Sequence, residues 1–195
     1  MILFIYGASA IGKTTFLKSV QYSLKPPSNT GLVVVYADFC EEHHGDVIIK
    51  KKRKWGGKRE EKRPAYHLDD MIGDDGVMWV VEAMRYLNGL WPEVIRAHEL
   101  SGGGVRVIVP YYSGEVGRLF RQQRCDKIGK KLSKYWTVEH CLAESDYRVR
   151  SCKKHLVPVG IPCEFVEIGP TREEWVLVRQ IMRQWLAEPV RCWYK

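Results

Sequence analysis

The 195-residue sequence predicts an α/β fold with a buried sheet between two helix layers. Three observations carry that expectation. Five strand-length segments are rich in apolar residues, three of them, Ile2–Tyr6, Leu32–Tyr36 and Val77–Val81, without interruption. Segments with helical patterning separate them. A glycine-rich loop joins the first run to the first helix. Apolar runs without polar alternation belong to strands covered on both faces, which is the pattern of a parallel sheet. A chain of this length fits a single domain with room for one or two small lids.

The first strand is Ile2-Leu3-Phe4-Ile5-Tyr6. Gly7-Ala8-Ser9-Ala10-Ile11-Gly12-Lys13-Thr14-Thr15 follows and reads G-x-x-x-x-G-K-T, the phosphate-binding loop of P-loop NTPases. Gly7 and Gly12 permit turn conformations closed to other residues. Backbone N–H groups then point inward at a phosphate. Lys13 supplies charge to the β- and γ-phosphates, and the Thr14 hydroxyl reaches Mg²⁺. The helix after the loop aims the positive end of its dipole at the anion. Its expected span is Thr14 to Leu24, with Phe16, Leu17 and Val20 on one face and Pro26-Pro27 as the stop.

Leu32-Val33-Val34-Val35-Tyr36 is the second strand, ending at Ala37-Asp38. Ligands of open α/β sheets bind at the carboxyl ends of strands, so Asp38 is a candidate substrate-facing carboxylate; a turn aspartate is the alternative. Residues 40–76 form a basic insert, with Val47-Ile48-Ile49 as one strand of a small hairpin. The run Lys50-Lys51-Lys52-Arg53-Lys54-Trp55-Gly56-Gly57-Lys58-Arg59 suits a nucleic-acid backbone with one stacked base, a nuclear-targeting run, or a solvated loop.

The third strand, Val77 to Val81, is followed directly by Glu82, where P-loop enzymes keep a carboxylate that orients water on Mg²⁺. Arg85 comes three residues later. Pro92 to Leu100 reads as a short helix ended by Gly102-Gly103-Gly104, and Val105 to Val109 as the fourth strand. Arg118, Arg121 and Arg124 recur at every third position of the next helix, as a stripe of guanidinium forks suited to phosphate. The region from about 118 to 155 reads as a lid, with a basic stretch Lys127 to Lys134 and a helix Thr137 to Lys154 carrying Arg148 and Arg150. Cys163 to Ile168 is the fifth strand. Thr171-Arg172-Glu173-Glu174 has the pattern of a capping box that starts a purely structural helix, with Trp175, Val178, Ile181, Met182 and Trp185 as its buried stripe.

The formal net charge of +8 suits polyanionic partners, nucleic acid among them. No apolar run approaches membrane-span length, and the six residues before the loop are too few for a signal peptide, so an intracellular, cytoplasmic protein is expected; the basic run leaves a nuclear one open. The six cysteines lack paired spacing and are read as reduced thiols. Cys141, Cys152, His155 and Cys163 bracket the lid and form a weakly spaced zinc candidate.

The run Val80-Val81-Glu82-Ala83-Met84-Arg85, then Glu93 on a helix, then Val105 to Val109 resembles the P-loop nucleoside monophosphate kinases. Within that group the chain looks most like the phage-type deoxynucleoside monophosphate kinases. The arginine-bearing helix and the turn Phe165-Val166-Glu167-Ile168-Gly169-Pro170, at the position of a base-holding loop, extend the likeness. Two departures stand out: the acid-Gly pair common after the third strand is Glu82-Ala83 here, and the Asp-Arg pair of thymidylate kinases is absent.

The resemblance implies a five-stranded parallel sheet ordered 2-3-1-4-5. It also implies phosphoryl transfer from ATP to a nucleoside or deoxynucleoside monophosphate. Lys13 and the loop would hold the donor, and Thr14 and Glu82 the Mg²⁺. Asp38 and Arg85 would face the acceptor, and Arg118, Arg121 and Arg124 would close over the transferring group. Two other readings stay open. One is a polynucleotide or RNA-end kinase using the Lys50–Arg59 run. The other is a nucleotide-binding module that is not a GTPase: no Asn-Lys-x-Asp occurs, and no apolar strand precedes the nominal D-x-x-G at Asp70 to Gly73.

Overall fold

The computed structural model describes residues 1–20, 33–39, 47–52, 58–63, 65–66, 68–72, 77–83 and 91–187. It is an α/β fold around a parallel sheet. Strand β1 (Ile2–Tyr6) pairs in parallel with β6 (Val77–Ala83) on one side and β7 (Val105–Tyr111) on the other. Beyond β6 lies β2 (Val33–Phe39), and beyond β7 lies β8 (Cys163–Glu167). A two-residue strand, β5 (Ala65–Tyr66), pairs with the end of β2 through Asp38 and Phe39. The sheet is therefore six-stranded, β5-β2-β6-β1-β7-β8, and not five-stranded as expected. Two residues are too short a run to carry a hydrophobic pattern, so β5 left no trace in the sequence.

Every residue of β1 is buried, because both sheet faces are covered. Side chains alternate across a strand, so its residues divide between two cores. Leu3 and Ile5 pack with Phe16, Leu17 and Val20 of α1 (Lys13–Val20) and with Val178, Met182 and Trp185 of α6 (Trp175–Ala187). Ile2, Phe4 and Tyr6 pack on the opposite face with Leu68 and Met71 of α2 (Leu68–Ile72) and Trp91, Val94 and Ala97 of α3 (Trp91–Leu100). Burying each of these large apolar side chains contributes about 1.5–3 kcal/mol, which makes β1 a rigid base for the loop that follows it. The expected end of α1 at Leu24 and Pro26-Pro27 lies outside the described residues.

The basic insert is more regular than expected. β3 (Val47–Lys52) and β4 (Lys58–Arg63) form a separate antiparallel hairpin. Its register sets Lys51 opposite Arg59 and Lys52 opposite Lys58. Much of the Lys50–Arg59 run is thus strand, not loop, and residues 53–57 lie outside the described residues.

After β7, Ser113 caps α4 (Gly114–Lys127) and Thr137 caps α5 (Val138–His155), each accepting a hydrogen bond from a first-turn N–H. The last helix departs from its expected start. α6 begins at Trp175, and the Glu174 carboxylate accepts from the Gly169 N–H at 2.9 Å instead of closing a box on Thr171. The intervening Arg172 has a left-handed φ of 61°, so the chain turns sharply there. Among the described residues, no helix is long and apolar enough to cross a membrane.

Candidate functional site

The site grows from the carboxyl end of β1. Tyr6 ends the strand, and the loop turns over the neighbouring strand β7. A Cβ on Gly7 would lie 2.5 Å from the Pro110 carbonyl oxygen, so only glycine lets the loop pass this close. Gly12 has a φ of 109°, which side chains disfavour, and it brings the chain into α1 at Lys13. Ala8 and Ile11 turn their side chains into the core. The remaining loop residues Ser9, Ala10, Gly12, Lys13, Thr14 and Thr15 line a cavity of about 860 Å³.

Lys13 is 8% exposed, and its Nζ donates to the carbonyls of Gly7 at 2.9 Å and Ala8 at 3.1 Å. Burial pulls its pKa down to about 8; the Glu82 and Glu144 carboxylates oppose that shift, while Arg148 and Arg121 add to it. Beside it, the Thr14 hydroxyl donates to Glu82 Oε2 at 2.7 Å. The two residues expected to share a metal therefore meet at the start of α1. Both present hard oxygen donors, the chemistry that Mg²⁺ prefers. β2 runs alongside β6 with Asp38 in register with Glu82, so both positions lie at the same end of the sheet. Arg85 lies outside the described residues.

The arginine stripe divides. Successive residues advance about 100° around a helix, so three-residue steps drift and the three arginines fan over about 120°. Arg121 is buried, with its guanidinium bonded to Glu144 and to the Tyr112 hydroxyl and lying 3.4 Å over the Trp136 ring. Arg124 lines the cavity. Arg118 lines a separate small groove with Leu119 and Leu132 and does not join the other two. Of the three arginines expected to close together, only Arg124 lines the cavity.

Further residues border the cavity. Arg172 and, in the final helix, Trp175 and Arg179 line it. Arg172 lies 4.0 Å over the Phe120 ring, and burial pulls its pKa down. Trp175 stacks on Phe16 with centroids 4.4 Å apart. On α5, Glu144 accepts from the Ser9 N–H at 3.1 Å, and Arg148 donates to the Tyr6 hydroxyl at 2.6 Å. The available signal was the stripe Cys141, Glu144, Ser145, Arg148, Ser151 and Cys152: small or polar residues at helical spacing mark the face that α5 turns inward.

The zinc candidate does not assemble. Cys141 belongs to one core, Cys152 to the core across the sheet, with Cys163 packed against the latter. Burial raises the Cys152 thiol pKa and pushes that of Cys163 up to about 12, so both stay protonated. Among the described residues, no three His, Cys, Asp or Glu side chains gather as a metal cluster.

The Lys13 environment has a measurable consequence. Its ammonium holds its proton below pH 8 and loses it above, whereas a phosphate beside it restores the ordinary, higher pKa. Triphosphate binding at pH 8.5 should therefore take up a proton. Affinity should weaken about tenfold between pH 7 and pH 9, following the loss of the charged form. Calorimetry in two buffers of different ionisation enthalpy reads both; no proton uptake at pH 8.5 would contradict the assignment.

Neither a comparison with protein-family models nor one with curated proteins finds a match for this chain.

Proposed function

We propose that the chain is an ATP-dependent phosphotransferase of the P-loop NTPase fold that phosphorylates a nucleoside or deoxynucleoside monophosphate. The observation that carries this reading is the Thr14–Glu82 hydrogen bond next to Lys13 at the mouth of α1. A chance glycine-rich turn has no reason to bring a carboxylate from a neighbouring strand onto that hydroxyl. The α/β architecture around a parallel sheet is compatible with that fold.

In this reading an oxygen of the acceptor phosphate attacks the donor's terminal phosphorus. The bond from that phosphorus to the bridging oxygen breaks, and its electron pair stays on the departing ADP. The attacking oxygen is already anionic, so no general base is required. The protein's work is positioning and charge stabilisation. Lys13 exchanges its two carbonyl partners for phosphate oxygens. Thr14 and Glu82 would hold Mg²⁺, directly or through water, and the ion would supply positive charge to the donor phosphates. Arg124, Lys127, Arg172 and Arg179 surround the same cavity with positive charge. Trp175 and Phe120 give it an apolar wall for the nucleoside. Asp38 and Arg85 are assigned to the acceptor.

An ATP-consumption screen against all monophosphates and 5′-hydroxyl oligonucleotides tests this reading. Turnover with one monophosphate is the expected result; no ATP consumption with any acceptor overturns it.

One observation favours the polynucleotide-end reading instead. Like charges directly opposite one another weaken a hairpin, and this one sets Lys51 against Arg59 and Lys52 against Lys58. A bound polyanion would relieve that repulsion. Neutralising Lys50, Lys51, Lys52 and Arg59 together separates the two readings. For a monophosphate kinase, kcat/KM changes less than about threefold, because exposed charges are screened beyond roughly 8 Å at physiological salt. For a polynucleotide kinase, oligonucleotide affinity falls for every sequence, and its salt dependence flattens.

A further inference from the structure

Four residues close a hydrogen-bonded ring on the phosphate loop. The Ser9 N–H donates to Glu144 Oε1 at 3.1 Å, and the Arg121 guanidinium bonds to Glu144 Oε2. Arg121 also donates to the Tyr112 hydroxyl at 3.4 Å, and that hydroxyl donates to the Ser9 carbonyl at 3.1 Å. The ring joins the loop, the end of β7, α4 and α5. Its donors, a loop N–H and a buried guanidinium, are the pair that recognises a phosphoryl oxyanion. A carboxylate of the chain itself occupies them.

We propose that Ser9 N–H and Arg121 form a second oxyanion subsite, distinct from the cradle around Lys13, and that Glu144 fills it until a phosphoryl group displaces it. This rests on the phosphotransferase reading. Three features support it. Each carboxylate oxygen of Glu144 meets one donor, so the carboxylate stands where two oxygens of a phosphoryl group would stand. Ser9 also lines the cavity, so one of the two donors borders the space assigned to the phosphate donor, with Arg121 behind it. Arg121 is 6% exposed but Glu144 is 16% exposed, so the guanidinium is fixed while the carboxylate has a route to solvent. Arg121 is held independently by the Trp136 ring and Tyr112 and stays in place when Glu144 leaves.

The exchange makes the site selective. A diphosphate fills the cradle beside Lys13 and leaves the ring closed. An added terminal phosphoryl group reaches Ser9 and Arg121, and its charge repels the Glu144 carboxylate outward. Release of Glu144 loosens the bond between α5 and the loop, so the identity of the ligand is transmitted to the region expected to form the lid.

The test is calorimetric, with Mg²⁺ present. It uses a non-hydrolysable ATP analogue, ADP alone, and AMP added to the ADP complex. In Glu144→Gln the analogue should bind about tenfold tighter than in the natural chain, with ADP changed less than about twofold. Tightening confined to AMP would support the subsite and assign it to the acceptor's phosphate. In Glu144→Ala, formate should refill the vacated position and weaken analogue binding, while chloride at equal ionic strength does not. Thermal melts of both variants keep folding defects apart from binding effects. Equal changes for all ligands, or weaker analogue binding in the folded variants, overturns the subsite and leaves Glu144 as a support for Arg121. If neither the analogue nor ADP binds the natural chain, the phosphotransferase reading falls and takes the subsite with it.

Discussion

Lys13→Ala should lower turnover at least a hundredfold, a loss on the order of 3 kcal/mol or more of transition-state stabilisation. The reason lies in where Lys13 sits. Its Nζ is buried against two loop carbonyls, at the N-terminus of α1 and beside the Thr14–Glu82 pair. A cation there interacts strongly with charge that develops between two phosphates, because few waters screen it. The variant also strips the Gly7 and Ala8 carbonyls of a donor, which costs about 1 kcal/mol each in stability when water does not replace it. Lys13→Met keeps most of the stem's packing but lacks the ammonium and its two hydrogen bonds, so its kcat should fall as far while its melting temperature falls less than that of Lys13→Ala. Substantial activity in either folded variant would exclude phosphoryl transfer at this loop.

What was legible in the sequence follows from how each signal is encoded. The strands β1, β6 and β7 are buried on both faces, so their apolar runs name them without reference to anything else. The loop was legible because Gly7 and Gly12 answer to local geometry: a close approach to Pro110 and a left-handed φ. Glu82 could be assigned because its place at the end of a strand fixes its direction. Residues on the helices were harder. Arg118, Arg121 and Arg124 have the same spacing and chemistry, yet one is buried, one lines the cavity and one faces a separate groove. That division depends on the rotation of α4 against α5, which no local pattern records. The partner of Glu144 could not be read for the same reason. It meets Ser9 across 135 positions of sequence, and the inward stripe of α5 marks its face without naming what lies opposite. The end of the chain misled in a different way. Thr171 and Glu174 match a capping box, but Glu174 binds the Gly169 N–H, the turn at Arg172 intervenes, and α6 starts later with its first turn facing the cavity.

Arg121→Lys should lower kcat at least tenfold although the charge is kept, and Arg118→Lys should change nothing. Arg121 uses one terminal nitrogen and one face of its planar group. The nitrogen meets Glu144 and the Tyr112 hydroxyl, and the face covers the Trp136 ring at 3.4 Å. Lysine reproduces the charge at a single point. It can keep an ion pair with Glu144, but it loses the flat contact with the indole and the planar geometry that aims one nitrogen at both Glu144 and Tyr112. The guanidinium position over the loop then loosens, and an ångström-scale misplacement of a charge-stabilising group costs about a hundredfold in favourable cases. Arg121→Ala goes further, because it leaves the Glu144 carboxylate mostly buried without its cation. Breaking such a pair costs about 3 kcal/mol, somewhat less here because Glu144 retains a route to water. The two effects separate in a double substitution. Arg121→Ala with Glu144→Gln should recover much of the lost stability, since no unpaired charge remains, but none of the lost kcat. A double variant that recovers both, or an Arg121→Lys chain with unchanged kcat and melting temperature, would place Arg121 in the scaffold and leave the transferring group to Lys13, Arg124 and Arg172.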